Sequence, residues 1–236
     1  MNKNLNIPTV KFYKTQPLKC PYLPNRDEQL LFTYLTQNNS VQIHDIMANA
    51  GFRRSHRIIY KPDCSNCSEC LPVRIRVKDH IPSNSQKRII KKNSDINIFI
   101  SEAKATEEQF KVFQDYQKIR HRNGNMSLMD FREFQAMIED TPVKTYVIEY
   151  RKSDDSLIAV ALTDQLQNGL SMVYSFFCPY EDKKSLGTWM ILNHIQLAKN
   201  NSLSYIYLGY MIDECRKMSY KKDFKPLEIL KNDKWI

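Results

Sequence analysis

The chain has 236 residues, of which 42% are hydrophobic and 26% are charged, a composition typical of a soluble globular protein with one large domain or two small ones. It has no apolar run of about 18 residues or more, so we expect no membrane-spanning helix. The first residues, MNKNLNIPTVKFYKTQ, lack the apolar core of a signal peptide, which predicts a cytoplasmic protein.

The charge balance favours a polyanionic partner. Lys and Arg number 35 against 26 Asp and Glu, giving a net charge of +9. Release of counterions from a phosphate backbone would drive such an association, although a Lys-rich solvated surface gives the same count. The basic residues concentrate in one segment: Arg53, Arg54, Arg57, Lys61, Arg74, Arg76, Lys78, Lys87, Arg88, Lys91 and Lys92. We interpret this segment as an anion-handling surface.

In chain order, the first predicted element is a helix over residues 26–37. Four apolar residues share one of its faces: Leu30, Leu31, Tyr34 and Leu35. Ser40 is expected to cap a second helix over 41–50, which stops at Gly51. Residues 52–61 alternate between apolar and polar side chains or are β-branched, which predicts a strand.

A cysteine-rich loop follows, and then a strand over residues 71–77. In this strand apolar and basic residues alternate: Val73, Ile75 and Val77 against Arg74, Arg76 and Lys78. The alternation predicts a half-buried strand whose exposed face is wholly basic. Residues 83–95 are interpreted as a loop with a basic helical turn. We place a boundary near Asp95, between an N-terminal basic domain with the cysteine loop (1–95) and a second domain (96–236).

The second domain contains both element types. The predictions are strands over 96–103, 144–150, 157–166, 169–178, 203–210 and 225–236, and helices over 105–121, 130–140 and 186–200. This order predicts an α+β protein with a small N-terminal Cys-containing domain and an N-acetyltransferase-like C-terminal domain. The turn before the crossover helix, KKSLGTW, has one glycine and therefore supports a coenzyme A site only weakly.

Three of the six cysteines are spaced by two residues: Cys64, Cys67 and Cys70. With Cys20 as a fourth thiolate, the set could hold Zn²⁺ or an iron–sulfur cluster. The alternative is a set of ordinary small buried residues. The last two cysteines are expected to be core residues: Cys178 and Cys215.

His121 ends the helix predicted over 105–121, next to Arg120 and close to Tyr116. Its pKa near neutrality would let it take a proton from an attacking ammonium or orient an ester. The alternative is that His121 and Arg120 only favour the negative end of the helix.

The segment that begins at Tyr205 mixes aromatic and basic side chains. They are Tyr205, Tyr207, Tyr210, Tyr220 and Phe224 beside Arg216, Lys217, Lys221 and Lys222. Such a mixture could stack on the exposed bases of an RNA end. Packing within the strand is the favoured interpretation for Tyr205 and Tyr207, and both interpretations stay open for Tyr210 and Tyr220.

Several blocks, in order, resemble the arginyl/leucyl-tRNA–protein transferase family. The blocks are CPYLP, GFRRSHRIIYKPDCSNCSEC, LPVRI, SNSQKRIIKKN, YQKIRH, SFFCP, SLGTW and YLGYMIDECRKMSYKKDFKP. The resemblance implies transfer of an amino acid from the tRNA 3′ ester to a protein α-amine. The bacterial branch, which this sequence resembles most, uses leucyl-tRNA on proteins that begin with Asp or Glu, and the added leucine marks the product for N-degron degradation.

The residue types of the chain fit the reaction that the resemblance implies. Anion and substrate recognition is expected from Arg53, Arg54, Lys61, Arg74, Arg76, Lys87, Arg120, Tyr210, Tyr220 and Lys221, and His121 and Tyr116 are expected near the reacting amine. The aminoacyl ester is already activated, so neither a covalent nucleophile nor a cofactor is required. Eukaryotic members bind an iron–sulfur cluster through an early Cys-x-x-Cys pair and an adjacent-Cys pair, whereas this chain has Cys20 followed by Leu23.

Three alternatives remain open at the level of the sequence. The first is arginyl instead of leucyl transfer. The second is a metal-stapled tRNA-binding module without catalysis. The third is a coenzyme A acyltransferase.

Overall fold

The computed structural model describes residues 10–36, 39–122, 124–181, 184–215 and 217–236. The strands are β1 (Tyr13–Lys14), β2 (Leu18–Lys19), β3 (Asp27–Glu28), β4 (Leu30–Tyr34), β5 (Arg53–Ser55), β6 (Ile58–Pro62), β7 (Leu71–Arg76), β8 (Asn97–Glu102), β9 (Thr145–Arg151), β10 (Leu157–Gln165), β11 (Gly169–Phe177), β12 (Tyr205–Met211), β13 (Leu227–Lys231) and β14 (Lys234–Trp235). The α-helices are α1 (Ser40–Asn49), α2 (Asn84–Lys92), α3 (Glu107–Arg120), α4 (Phe131–Glu139) and α5 (Leu186–Asn200). None of these helices is long and apolar enough to cross a membrane.

The N-terminal part is built on a small antiparallel sheet of order β1-β4-β6-β5. One face of this sheet contributes to an apolar core with helix α1, through Leu35, Ile43, Phe52 and Ile59. The expected helix after residue 40 is therefore confirmed. Ser40 is its first helical residue and does not cap it, since Asn39 lies at the N-cap.

The helix predicted over residues 26–37 is wrong, because this segment forms β3 and β4. Residues 31 and 33 face the core, and Phe32 and Tyr34 face the other way, which is the two-residue period of a strand. The apolar spacing of this segment fits either period, and pairing with β6 decides between them. Gln37, the last residue of the predicted helix, lies outside the described residues.

The strand predicted over residues 52–61 is a hairpin of two strands, β5 and β6. The chain reverses at His56, whose φ of 50° lies in the left-handed region. The prediction was right about the type of structure and missed the turn. The reversal brings Arg53 and Arg54 onto a short strand that borders the larger sheet.

The larger sheet has eight strands in the order β14-β13-β7-β12-β11-β10-β9-β8. Strands β8 to β11 form an antiparallel meander, and α5 then crosses over to β12, which pairs in parallel with β11. This is the element order expected of an N-acetyltransferase-like fold, and the α+β class is confirmed. The final segment forms β13 and β14, a hairpin in place of one strand.

Strand β7 lies inside this sheet, between β12 and β13, although it comes from before residue 95. The sheet therefore takes strands from both sides of the expected domain boundary, which stays a prediction. The segment after β7 is more regular than expected. It forms helix α2, which begins with a capping box between Ser83 and Gln86 and packs against α5.

Helices cover both faces of the meander. Phe113 of α3 and Phe134 of α4 pack on one face against Val160 and Phe176, and α5 packs on the other face against Ala159 and its neighbours. Strand β10 is buried along nearly its whole length because both of its faces are covered.

The parallel pair β11/β12 is short. Only residues 169–171 pair with residues 205–207. Beyond them the pairing of β12 with β7 shifts register between Tyr207 and Gly209, and Gly209 has a φ of +73°. The two central strands therefore separate in the middle of the sheet, and this opening positions the candidate site.

Candidate active site

Arg53 fills the opening between β11 and β12. Its Nη2 donates hydrogen bonds to the carbonyl oxygens of Met172 (3.1 Å) and Val173 (2.6 Å) on β11. On the other side it lies against Gly209, where an added Cβ would stand 1.8 Å from Arg53 Nη1. Gly209 is required both by its positive φ and by this close approach.

Lys221 contacts β12 at the same place, where the register of the strand shifts. Its Nζ donates to the carbonyl oxygens of Leu208 (2.8 Å) and Tyr210 (2.6 Å), and its side chain is buried. Burial and then the nearby Arg53 guanidinium lower the pKa of Lys221 to about 7. Among the described residues, no acidic side chain forms an ion pair with Arg53 or Lys221. The two cations therefore leave a local excess of positive charge.

Tyrosine side chains surround this positive charge. The Tyr210 hydroxyl donates to the carbonyl oxygens of Gly51 and Tyr60, which ties β12 to the N-terminal hairpin. Burial raises the pKa of Tyr22 to about 12 and that of Tyr220 to about 12, and the Arg53 charge acts against both shifts. These phenols therefore stay neutral near pH 7 and remain hydrogen-bond donors.

His121 and Tyr116 lie at one edge of this site. Their ring centroids are 5.4 Å apart, and the Tyr116 ring lies 5.0 Å from that of Phe177. Burial, then the charges of Lys217 and Arg120, lower the pKa of His121 below its usual 6.5. His121 is therefore a neutral imidazole near pH 7 and can accept a proton. Tyr220 lies near both groups, because the Tyr116 phenol raises the pKa of Tyr220 and the Arg53 guanidinium lowers it.

Arg120 lies beside this edge, with its guanidinium 5.6 Å from the Phe177 ring centroid. Its side chain is exposed, and its carbonyl oxygen accepts a hydrogen bond from Lys217 Nζ at 3.2 Å. Of the other residues in the aromatic segment, Tyr205 and Tyr207 pack in β12, in agreement with the favoured interpretation. Arg216 lies outside the described residues.

Arg54 does not belong to this site, which corrects its expected role in anion recognition. Its Nε and Nη2 each donate to Asp164 at 2.7 Å, and Arg54 and Asp164 are 3% and 0% exposed. The Thr145 hydroxyl donates to the same carboxylate at 2.7 Å. An internal carboxylate already occupies this guanidinium, so Arg54 cannot receive a substrate anion.

Arg74 and Arg76 are also partnered, so the prediction of a wholly basic exposed face on β7 is wrong. Arg74 is buried, bonds Glu228 at 2.7 Å and stacks on Tyr205 at 3.6 Å. Arg76 is partly exposed and shares Glu228 at 3.1 Å with Arg74. The reason is tertiary: β13 lies beside β7 and places Glu228 opposite Arg74.

The remaining predicted cations lie elsewhere. Lys61 points to the core face of the small sheet, 5.1 Å from the Phe52 ring centroid. Lys87 is exposed on α2. The structure thus brings together Arg53, Lys221, Tyr210, Tyr220, Tyr116 and His121, with Arg120 at the edge. Sequence reasoning missed Gly209, Tyr22 and Tyr60, because no local pattern indicates that the hairpin folds onto the opening in the sheet.

The four predicted ligand cysteines, Cys20, Cys64, Cys67 and Cys70, line one pocket. All four are free thiols, and burial followed by the neighbouring three sulfurs raises the pKa of Cys70 to about 12. Their soft donor atoms suit Zn²⁺ or an iron–sulfur cluster. However, no three His, Cys, Asp or Glu side chains among the described residues are arranged to hold a metal ion. The pocket gathers the four thiols in positions that would have to close up around a metal ion.

The other two cysteines differ in their surroundings. Cys178 packs against the main core, as expected, and Cys215 is half-buried beside Lys221. The glycine turn considered for coenzyme A includes Lys183, which lies outside the described residues.

Comparison with known proteins defines the class of protein, an aminoacyltransferase. Residues 108–231 match the family described as arginine-tRNA-protein transferase, C terminus, and residues 18–88 match its N-terminal counterpart. The aspartate/glutamate leucyltransferase of Parvibaculum lavamentivorans is 46% identical over 95% of this chain and 93% of that protein. The enzyme of the same name from Jannaschia sp. is 48% identical over 95% of this chain and 79% of that protein. The chain belongs to the arginine-tRNA-protein transferase family.

A solved structure gives a more distant likeness. The C-terminal domain of a putative lysylphosphatidylglycerol synthetase from Agrobacterium fabrum aligns with a TM-score of 0.47 at 13% identity, over 77% of this chain and 54% of that chain.

The buried Arg54–Asp164 pair generates a stability prediction. Arg54→Met leaves the buried Asp164 side chain without its guanidinium partner, so the free energy of unfolding should fall by about 3–5 kcal/mol. The matched control is Arg57→Met, because Arg57 pairs with Asp140 at the surface and its loss should change stability by less than about 1 kcal/mol. Urea denaturation of the three proteins measures both effects. Equal losses in the two variants would contradict the structural role of Arg54.

Proposed function

We propose that this protein transfers leucine from leucyl-tRNA to the α-amine of proteins that begin with Asp or Glu. The relatives named aspartate/glutamate leucyltransferase align over 95% of this chain, which supports the activity. Within the site, the proposal rests on one observation. Arg53 and Lys221 form no ion pair with an acidic side chain among the described residues. An acceptor that brings its own carboxylate would complete this arrangement.

The reaction needs positioning and one proton transfer. The acceptor nitrogen attacks the ester carbonyl carbon of the aminoacyl-tRNA, a C–N bond forms, and the bond from that carbon to the ribose oxygen breaks. The amine loses a proton and the ribose hydroxyl gains one. Because the ester is already activated, most of the acceleration can come from holding the two reactants together.

His121 is the proposed proton acceptor. Its imidazole is neutral near pH 7 because burial and the neighbouring Lys217 and Arg120 disfavour its charged form. Tyr116, whose ring lies 5.4 Å from that of His121, orients the imidazole and the incoming amine. Arg53 and Lys221 hold the acidic side chain of the acceptor, and the neutral phenols of Tyr210 and Tyr220 line the route to it.

The proposal also includes the location of the protein, the fate of its product and the choice of donor. Charged tRNA is present where proteins are made, so we place the protein in the cytoplasm. The product would carry an N-terminal leucine that marks it for degradation. Arginyl-tRNA is the alternative donor. The name of the matched family refers to arginine, whereas the names of both relatives refer to leucine.

Transfer itself is the first test. Purified protein should attach radiolabelled leucine from leucyl-tRNA to reporters that begin with Asp or Glu and not to a matched reporter that begins with Ala. Arginyl-tRNA is assayed in parallel and should give little label. Label from arginyl-tRNA alone would reassign the donor. Tight tRNA binding without transfer from either donor would instead favour a non-catalytic tRNA-binding module.

The pKa shifts predict a narrow pH dependence of kcat/KM. The rate should rise as pH passes the pKa of His121, which lies below 6.5, because the free imidazole accepts the proton. It should fall above about pH 7, because Lys221 then loses the charge that binds the acceptor carboxylate. In Lys221→Arg the rate should continue to rise until the acceptor amine has lost its proton, near pH ~8.

His121→Asn should lower kcat by about 100-fold and leave an acidic limb that follows only the titration of the acceptor amine. Spontaneous hydrolysis of the ester is measured at each pH without enzyme, and circular dichroism checks the fold of each variant. A wild-type profile that follows the titration of the acceptor amine alone would contradict both assignments.

A soft metal ion at the cysteine pocket is the remaining part of the proposal. Cys20, Cys64, Cys67 and Cys70 would hold Zn²⁺ or an iron–sulfur cluster, and the bound group would cross-link the loop without entering the transfer reaction. Elemental analysis of the purified protein should find metal, which the double variant Cys64→Ser/Cys67→Ser should lose and the control Cys178→Ser should keep. Metal-free wild-type protein that is folded and active would refute this part.

A further inference from the structure

Aromatic side chains form a row across the small N-terminal sheet. Tyr13 on β1 pairs with Phe32 on β4, Phe32 pairs with Tyr60 on β6, and Tyr60 pairs with Arg53 on β5. Residues directly opposite each other in an antiparallel sheet point to the same side. Three aromatic rings and then Arg53 therefore follow one another on one face.

This row lies on the face that the core does not use. Leu31 and Ile59 point to the other side, where they pack with α1. Tyr34, two residues after Phe32, shares the face with the row. We call Tyr13, Phe32, Tyr34 and Tyr60 the aromatic face.

The outer rings of the aromatic face are open to solvent. Tyr13 is 48% exposed and Tyr34 is 54% exposed. Three of the rings touch one another, with centroid distances of 5.7 Å for Tyr13–Phe32, 6.0 Å for Tyr13–Tyr34 and 5.8 Å for Phe32–Tyr34. A group of exposed rings in mutual contact is an unusual use of surface and indicates a binding partner.

The row leads into the candidate active site. Its last member, Arg53, fills the opening between β11 and β12, and the Tyr60 carbonyl accepts a hydrogen bond from Tyr210. A ligand laid along the row from β1 would therefore end where transfer is proposed to occur.

We propose that the aromatic face is the stacking platform for the unpaired 3′ end of the charged tRNA, an inference that rests on the proposed function. Exposed aromatic rings on a β-sheet are the means by which several RNA-binding domains stack two or three unpaired bases. Neighbouring strands lie ~4.8 Å apart, so the row spans ~14 Å from Tyr13 to Arg53, which suits a few nucleotides. The donor must present its terminal ester at the site, and the net charge of +9 favours a polyanion over an apolar protein segment.

The test compares two RNAs and several variants in the full-length protein. The RNAs are uncharged leucine tRNA and the same tRNA without its unpaired 3′ nucleotides, with affinities measured by fluorescence anisotropy at fixed salt. Tyr13→Ala/Tyr34→Ala should weaken binding of the intact tRNA by about tenfold or more and leave binding of the shortened tRNA unchanged. Tyr13→Phe/Tyr34→Phe keeps the rings and should bind as the wild type does.

Phe99→Ala is the matched control for loss of an exposed aromatic side chain, because Phe99 is 50% exposed on the edge strand β8 of the other sheet. It should leave both affinities unchanged. If Tyr13→Ala/Tyr34→Ala weakened the binding of both RNAs equally, or of neither, the stacking platform would be refuted. A change of oligomeric state in Tyr13→Ala/Tyr34→Ala with unaltered tRNA affinity would also refute it, since a second copy of the chain would then cover the face.

The stacking platform and the proposed function can be rejected independently of each other. Absence of leucine transfer by the wild type, together with binding that depends on the 3′ end and on the rings, would reject the transferase and keep the platform. Transfer by the wild type with an unchanged KM for leucyl-tRNA in Tyr13→Ala/Tyr34→Ala would reject the platform and keep the transferase.

Discussion

The contact of Arg53 with the opening between β11 and β12 is the interaction on which the rest of the structure depends. Two strands that stop pairing leave backbone carbonyls without partners inside the sheet, and burying them unpaired would be costly. Arg53 donates to the carbonyls of Met172 and Val173, and Lys221 donates to those of Leu208 and Tyr210. The N-terminal hairpin is thereby fixed against the larger sheet, and the Arg53 guanidinium and the Lys221 amine are placed at the opening.

The fate of the other arginines shows how charge is divided between folding and function. Asp164 neutralises Arg54 and Glu228 binds Arg74, and both pairs are buried at the junction of the N-terminal part with the larger sheet. Removing either partner would leave a buried charge, so these residues are committed to the fold. Within the described part of the chain, the side chains of Arg53 and Lys221 donate hydrogen bonds to backbone carbonyl oxygens, which hold a cation without cancelling its charge. The charge available to an acidic acceptor is therefore a small part of the net charge of +9.

The site and the aromatic face together suggest a division of labour between the two substrates. Along β1, β4 and β6 exposed rings lead towards Arg53, and the opposite edge of the site carries the neutral His121 imidazole with Tyr116. An RNA end arriving from one side and a protein N-terminus bound by cations would meet near Gly209. Neither partner needs a covalent attachment to the enzyme, because the ester bond of the donor already stores the energy that transfer requires.

The sequence by itself determined the class of the fold, the helices and strands from β8 to β12 and the family resemblance, because periodic apolar patterns and capping residues act within a few positions of the chain. Thr106 and Asp130 cap α3 and α4 with side chains three residues from their partners, and such signals can be read directly. Only the tertiary structure decided that residues 26–37 form strands, that β7 joins the larger sheet, and which arginines are free. These outcomes depend on pairs such as Arg54–Asp164 and Arg74–Glu228, 110 and 154 residues apart. A basic side chain looks the same in the sequence whether a distant carboxylate meets it or not, so the selection of Arg53 over Arg54 could come only from the folded arrangement.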